Sequence, residues 1–251
     1  MILKNIKKAK NLITEFRGRF NDLRATEEII RNQNAELEWA NIYHETIRGK
    51  KWLQELSISP GRWAANYSFI YVLTRILSDC QPKKIIELGL GESTKIVSTI
   101  IENELPDSTH LIIEQSQDWI MAFKSKFKLS SKSTILHLEL ETKIIKGFPV
   151  NSYKDINKKI DDTFDLYIID GPFGSARYSR YDIISLIEKL KNNSEFIIII
   201  DDYNRPGEQE MVLDLTEAIN KKGFEIYSGR FAGAKAQRVI VTKKYQFVLT
   251  I

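Results

Sequence analysis

Hydrophobic positions along the chain follow two patterns. From Met1 to about Leu56 they recur at three-, four- and seven-residue steps. Leu3, Ile6, Ile13, Phe16, Phe20 and Leu23 come first, then less regularly Ile29, Ile30, Leu37, Ile42, Trp52 and Leu53, with Lys, Arg, Glu and Asp between them. That spacing predicts helix, weakened only at Gly18 and Gly49. The apolar stripe implies a buried partner surface, on the rest of the chain or in a homo-oligomer. A basic membrane-surface helix is the rival, and the interspersed acids argue against it. Ser59-Pro60-Gly61 is a turn signal that separates a helical extension, 1–56, from a second region, 57–251.

Beyond the turn, short apolar runs alternate with helical periodicity. The runs at 85–88, 111–114, 134–140, 164–169, 196–200, 224–228 and 239–242 read as strands. Helices are predicted at 62–77 (apolar face Trp63, Tyr67, Ile70, Leu73, Ile76 and Leu77), 96–104, 115–127 (Trp119 and Phe123 inward) and 209–222. The irregular stretch 141–159 reads as a loop followed by a short helix containing Tyr153 and Ile156. Strands alternating with helices give an α/β domain around a mostly parallel sheet.

Composition narrows the class. The 251 residues are 43% hydrophobic and 28% charged, ample for a core with one α/β domain and an appendage. A net charge of +4, from 37 basic against 33 acidic residues, is mild and well mixed, which argues against a nucleic-acid surface. The single cysteine, Cys80, excludes an internal disulfide, and there is no Cys/His cluster of zinc spacing. No apolar run follows the basic N-terminus as a signal peptide requires, and none is long enough to span a bilayer. A cytoplasmic protein without nucleic-acid or membrane partners is the expectation.

The chemistry concentrates where strands end. Lys84 to Leu88 is a strand broken by Gly89-x-Gly91, and Ser93-Thr94 opens the next helix. Strand, glycine turn and helix form a nucleotide-binding unit: the glycines admit a ligand to the backbone, and the helix N-terminus offers free N–H groups. The third glycine of the dinucleotide fingerprint is absent, with Thr94 in its place, and Glu87 suits a cationic ligand better than a pyrophosphate. Glu114 ends the second strand, 25 residues after Gly89, where a carboxylate can accept from both hydroxyls of a ribose. Two more apolar strands end in acids, Asp170 on one and Asp201-Asp202 on the other. Three carboxylates at one rim suit a hard divalent cation such as Mg²⁺. Arg177, Tyr178, Arg180 and Tyr181 form a basic-aromatic cluster suited to an anionic acceptor such as a sugar phosphate or carboxylate.

Glu87-x-Gly89-x-Gly91-x-Ser93 resembles motif I of the class I S-adenosylmethionine (SAM)-dependent methyltransferases. The turn and helix before it, and the acids after the fourth and fifth strands, resemble the catechol-type small-molecule O-methyltransferases. The resemblance runs from about Ser57 to Thr242. It implies a Rossmann-like, mostly parallel seven-stranded sheet with an antiparallel last strand, and methyl transfer from SAM to a small acceptor, most naturally a hydroxyl. By resemblance, the cofactor set is Glu87, Gly89, Gly91, Ser93, Glu114 and Asp170, and the metal set is Asp170, Asp201 and Asp202. Asp170 and Arg177 are the catalytic candidates, with Arg177 steadying an anionic substrate. The family's lysine base shortly after the fourth-strand acid is missing, because Pro172-Phe173-Gly174 stands there. The rival functions are a nicotinamide-dependent Rossmann enzyme and a non-catalytic interaction module.

Overall fold

The structure, a computed structural model, describes residues 2–61 and 64–251, with side chains from Lys10 onward. Trp63, expected on a core face, lies outside the described residues. None of the described helices is long and apolar enough to cross a membrane.

The short apolar runs after the extension become strands, the central ones with both faces covered. The strands are β1 (Lys84–Leu88), β2 (Thr109–Glu114), β3 (Ser133–His137), β4 (Leu140–Ile145), β5 (Phe148–Tyr153), β6 (Leu166–Ile169), β7 (Ile197–Ile200), β8 (Ile226–Ala232) and β9 (Ala236–Thr242). Seven of them form one sheet in the order β3-β2-β1-β6-β7-β9-β8. β1, β2, β3, β6 and β7 pair in parallel, and β9 runs antiparallel to both β7 and β8. β6 and β7 are buried at every position, which is why they read as unbroken apolar runs rather than as alternation.

Helices cover both faces. They are α1 (Ile2–Thr46), α2 (Lys51–Gln54), α3 (Tyr67–Cys80), α4 (Glu92–Asn103), α5 (Gln117–Lys126), α6 (Ile156–Lys159), α7 (Asp182–Ile187) and α8 (Pro206–Lys221), with a final 3₁₀ segment at Lys243–Thr250. One core layer joins α3 and α4 to the sheet through Phe69, Leu73, Ile76, Ile96 and Ile100. The other joins α7 and α8 through Ile183, Leu186, Met211 and Leu215.

The predicted helix at 141–159 is instead the β4–β5 hairpin, with Tyr153 on a strand and only Ile156 on a helix. Its turn, Lys146-Gly147, has φ of +50° and +86°, the two positive values a two-residue hairpin turn requires. Strand β3 stops at His137 and does not run to Leu140. The late strands are longer than predicted, running through Gly229–Ala232 and turning only at Gly233–Lys235.

The extension divides in two. Its C-terminal part packs on the domain: Tyr43, Ile47 and Leu53 are buried in the same core as α3. The chain breaks at Gly49 (φ +87°), which ends α1 rather than merely weakening it. Upstream, Leu12, Ile13, Phe16, Phe20, Leu23 and Ile30 are 46–70% exposed, so the expected cover from the rest of this chain is absent among the described residues.

Candidate functional site

The carboxyl ends of β1, β2, β6 and β7 meet at one edge, and the chain's acids lie along it. Gly89 ends β1 with φ +105°, and its N–H donates to the Ile113 carbonyl at 2.9 Å. A Cβ at Gly89 would sit 3.1 Å from the Gly171 nitrogen, and one at Gly171 would sit 2.5 Å from the Tyr153 hydroxyl. The two turns therefore pack backbone against backbone, which brings Asp170 beside the glycine turn. Tyr153, fully buried, supports the arrangement from beneath by donating to the Ile113 carbonyl at 3.2 Å.

A cavity of about 450 Å³ opens above these turns, lined by Gly89, Leu90, Glu114, Trp119, Asp170 and Asp202 among others. The Glu114 carboxylate accepts from the backbone N–H of Leu90 (3.1 Å) and Ser116 (2.8 Å). Burial raises its pKa, and those two bonds offset part of the rise. Trp119, expected inward, is 47% exposed and forms a cavity wall, its indole N–H donating to the Leu90 carbonyl at 2.7 Å.

Glu87 and Ser93 lie behind the turn rather than in the cavity. Glu87 is completely buried, accepts from the Ser93 hydroxyl and lies 3.0 Å from His110 Nε2. Gly91 caps α4, with its N–H donating to Thr94 Oγ1 at 3.0 Å, and a Cβ there would meet no atom within 4 Å. Arg177 does not line the cavity. It pairs with Glu210 on α8 and stacks on Phe148 at 4.4 Å.

Asp170, Asp201 and Asp202 each offer an oxygen within 4.8 Å of the others. Basic side chains already hold them. Arg180, 4% exposed, reaches Asp170 (3.2 Å) and Asp202 (2.8 Å) and donates to the Asp201 carbonyl (2.9 Å). Lys235, 7% exposed, lies 2.5 Å from Asp201 Oδ2 and 3.4 Å from Asp202 Oδ1. Arg205 adds a contact to Asp202 at 2.9 Å, and Gln237 donates to the remaining Asp201 oxygen at 2.8 Å. Arg180 and Asp202 both have positive φ, +57° and +58°, a strained backbone in the one ion pair.

The electrostatics follow from this packing. Burial and the neighbouring Asp201 charge raise Asp170 to about 7, against the pull of Arg180 and Lys235. Burial pushes Asp202 upward too, but Arg180, Lys235 and Arg205 together bring it below the usual carboxylate range. The Mg²⁺ that the resemblance implies needs carboxylate oxygens free to coordinate. Asp201 has both oxygens hydrogen-bonded, and Arg180, Lys235 and Arg205 already neutralise the cluster; Asp202 Oδ1 alone has no hydrogen-bond partner, so a divalent ion would fit only by displacing these cations.

Lys235, Gln237, Arg205 and Tyr153 were not legible as site residues. One signal for Lys235 does exist: a β8–β9 turn beside β7 falls at the carboxyl edge of the sheet, and Lys235 is the charged residue in it.

Solved structures share this architecture. An O-methyltransferase from Bacillus cereus, solved in complex with SAH, superposes with a TM-score of 0.50 at 14% identity over 84% of this chain and 91% of its own. A Klebsiella pneumoniae protein described as an O-methyltransferase superposes with a TM-score of 0.51 at 16% identity over 82% of this chain and 98% of its own. The fold is that of the class I methyltransferases. At such identities the likeness speaks for the fold, so the activity has to be argued from the site. No protein-family model matches the sequence, and no curated protein matches it either.

Proposed function

We propose that the chain is a SAM-dependent methyltransferase acting on a hydroxyl of a small-molecule acceptor, with internal cations in place of a divalent metal. The observation that carries this is the conjunction of Gly89, Glu114 and Asp170 around one cavity at the carboxyl edge of the sheet. SAM supplies an electrophilic methyl on a positively charged sulfur. Glu114, with its carboxylate fixed by Leu90 and Ser116, is placed to accept from a ribose diol. The acids Glu114, Asp170 and Asp202 on the wall favour a cationic ligand over the pyrophosphate of a nicotinamide cofactor. Asp170, poised at about 7, suits removal of a proton from an acceptor hydroxyl at neutral pH. Arg180 and Lys235 hold the rim acids in place and supply the positive charge that a metal gives elsewhere. Arg177, tied to Glu210, serves the wall formed by the β4–β5 hairpin and α8 rather than the reacting atoms.

Calorimetry with SAH and, separately, NAD tests the cofactor assignment, and repeating it with Mg²⁺ and with chelator tests the metal-free rim. SAH binding unaffected by either addition is the expected result. Binding of NAD in place of SAH would refute the assignment.

A further inference from the structure

A second cleft lies on the other side of Lys235. It has a volume of about 590 Å³ and lies between α1 and the β8–β9 turn, with Arg31 and Asn32 on one wall, Arg230 on the other, and Lys235 and Asn204 between them. Its walls are fixed. Glu36 on α1 accepts from Asn66 Nδ2 (2.6 Å), Tyr67 N–H (2.5 Å) and Ala234 N–H (2.8 Å), and the Trp39 indole donates to the Ala232 carbonyl at 2.9 Å. Gly233 permits this approach, since a Cβ there would stand 2.1 Å from Glu36 Oε2.

Two cations of this cleft, Arg31 and Arg230, have no carboxylate partner among the described residues. From Arg48 onward, every described arginine except Arg230 and Arg238 meets a carboxylate: Arg48, Arg75, Arg177, Arg180 and Arg205. Arg230 and Arg238 stand directly opposite each other in the β8–β9 ladder, a like-charge pairing that costs stability when nothing neutralises it. The Arg238 Nε is buried and unbonded among the described residues. Arg31, facing across the cleft, also has no carboxylate partner among them, and Glu28 is the one acid on the lining. Lys235 donates to Asp201 Oδ2, lies 3.4 Å from Asp202 Oδ1, and also lines the cleft.

We infer that this cleft is an anion-recognition site in which Arg31 and Arg230 hold an oxyanion, a phosphate or carboxylate, of the molecule to be methylated. The word "methylated" rests on the proposed methyltransferase function; the anion site does not. Asp202 touches Lys235 and also lines the cofactor cavity, so the two spaces adjoin through that ion pair. Arginine forks are the donors suited to such oxyanions. The inference also gives α1 a function, because without it the cleft has one wall.

Calorimetry on the full chain, with inorganic phosphate and separately with acetate, tests the inference and distinguishes the two anions. Arg31→Gln and Arg230→Gln alter exposed side chains, and the melting temperature checks that each variant is folded. Each should weaken phosphate or acetate binding by about tenfold, and the double variant should abolish it. The SAH-induced rise in melting temperature should be the same in all of them. Undiminished anion binding in the double variant, or none in the wild type, overturns the site. Anion binding through Arg31 and Arg230 in a protein that shows no response to SAH keeps the site and refutes the methyltransferase assignment.

Discussion

Replacing Lys235 by methionine removes a buried charge and little volume, and so isolates what that charge does. Asp201 is fully buried, with Lys235 Nζ 2.5 Å from one of its oxygens. At an effective dielectric of about 20, unit charges ~3 Å apart attract by roughly 5 kcal/mol. Stripping one partner from a buried pair typically destabilises by about 3–5 kcal/mol, because the other charge is left without compensation. For a chain of this size each kcal/mol is worth about 2–4 °C, so Lys235→Met should melt on the order of 10 °C lower than wild type. The loss should also free Asp201 Oδ2 and take the competing ammonium away from Asp202 Oδ1, which leaves carboxylate oxygens open to a cation. Mg²⁺ at about 100 times its dissociation constant would then return roughly 2.7 kcal/mol to the variant. The assay is differential scanning calorimetry of wild type, Lys235→Met and the charge-retaining Lys235→Arg, each with chelator and with Mg²⁺. A loss below about 2 °C in Lys235→Met would mean that Lys235 does not neutralise the acids. An equal Mg²⁺ shift in wild type and variant would mean that the native rim already accepts a metal.

Other expectations follow from the same geometry. SAH should raise the melting temperature and NAD should not, and equal shifts with both would refute the cofactor assignment. Because Asp170, on the cavity wall, is held near 7, SAM with its cationic sulfur beside it should bind more tightly as pH rises from 6 to 8 while SAH changes little, and parallel titrations of the two would refute a sulfonium placed next to Asp170. The same raised value makes Asp170's contribution to stability complete below about 4 and lost as pH rises through 7, which Asp170→Asn should remove from the pH–stability curve. Deleting residues 1–30 should leave the melting temperature within a few degrees. Deletion through residue 50 should be much worse, since burying Tyr43 and Ile47 is worth about 1.5–3 kcal/mol each. Light scattering of the shorter deletion reports whether the exposed stripe of α1 mediates self-association, with an unchanged mass refuting it.

The local order of apolar runs and glycines determined much of this molecule. One phenylalanine and four isoleucines in a row before Asp201 can only be a strand buried on both faces, and a carboxylate after such a strand must fall at the sheet's carboxyl edge. The turn at Gly89, the place of Glu114 on the cavity wall and the meeting of Asp170 with Asp201 and Asp202 follow from that logic. What neutralises those acids does not. Lys235 lies 34 residues from Asp201 in sequence and reaches it only because β9 inserts antiparallel beside β7, which returns the β8–β9 turn to the acidic edge. Glu87 and Arg177 show the same limit: their charges are plain in the sequence, but His110 with Ser93 and Glu210 with Phe148 were decided by packing. The β4–β5 hairpin was hidden because its strands are only half-buried and carry weak alternation, so its order comes from pairing and from the positive φ values at Lys146 and Gly147. Periodicity reports which face of an element avoids water; which surface meets that face, and which charge meets which, depends on where the other elements lie in space.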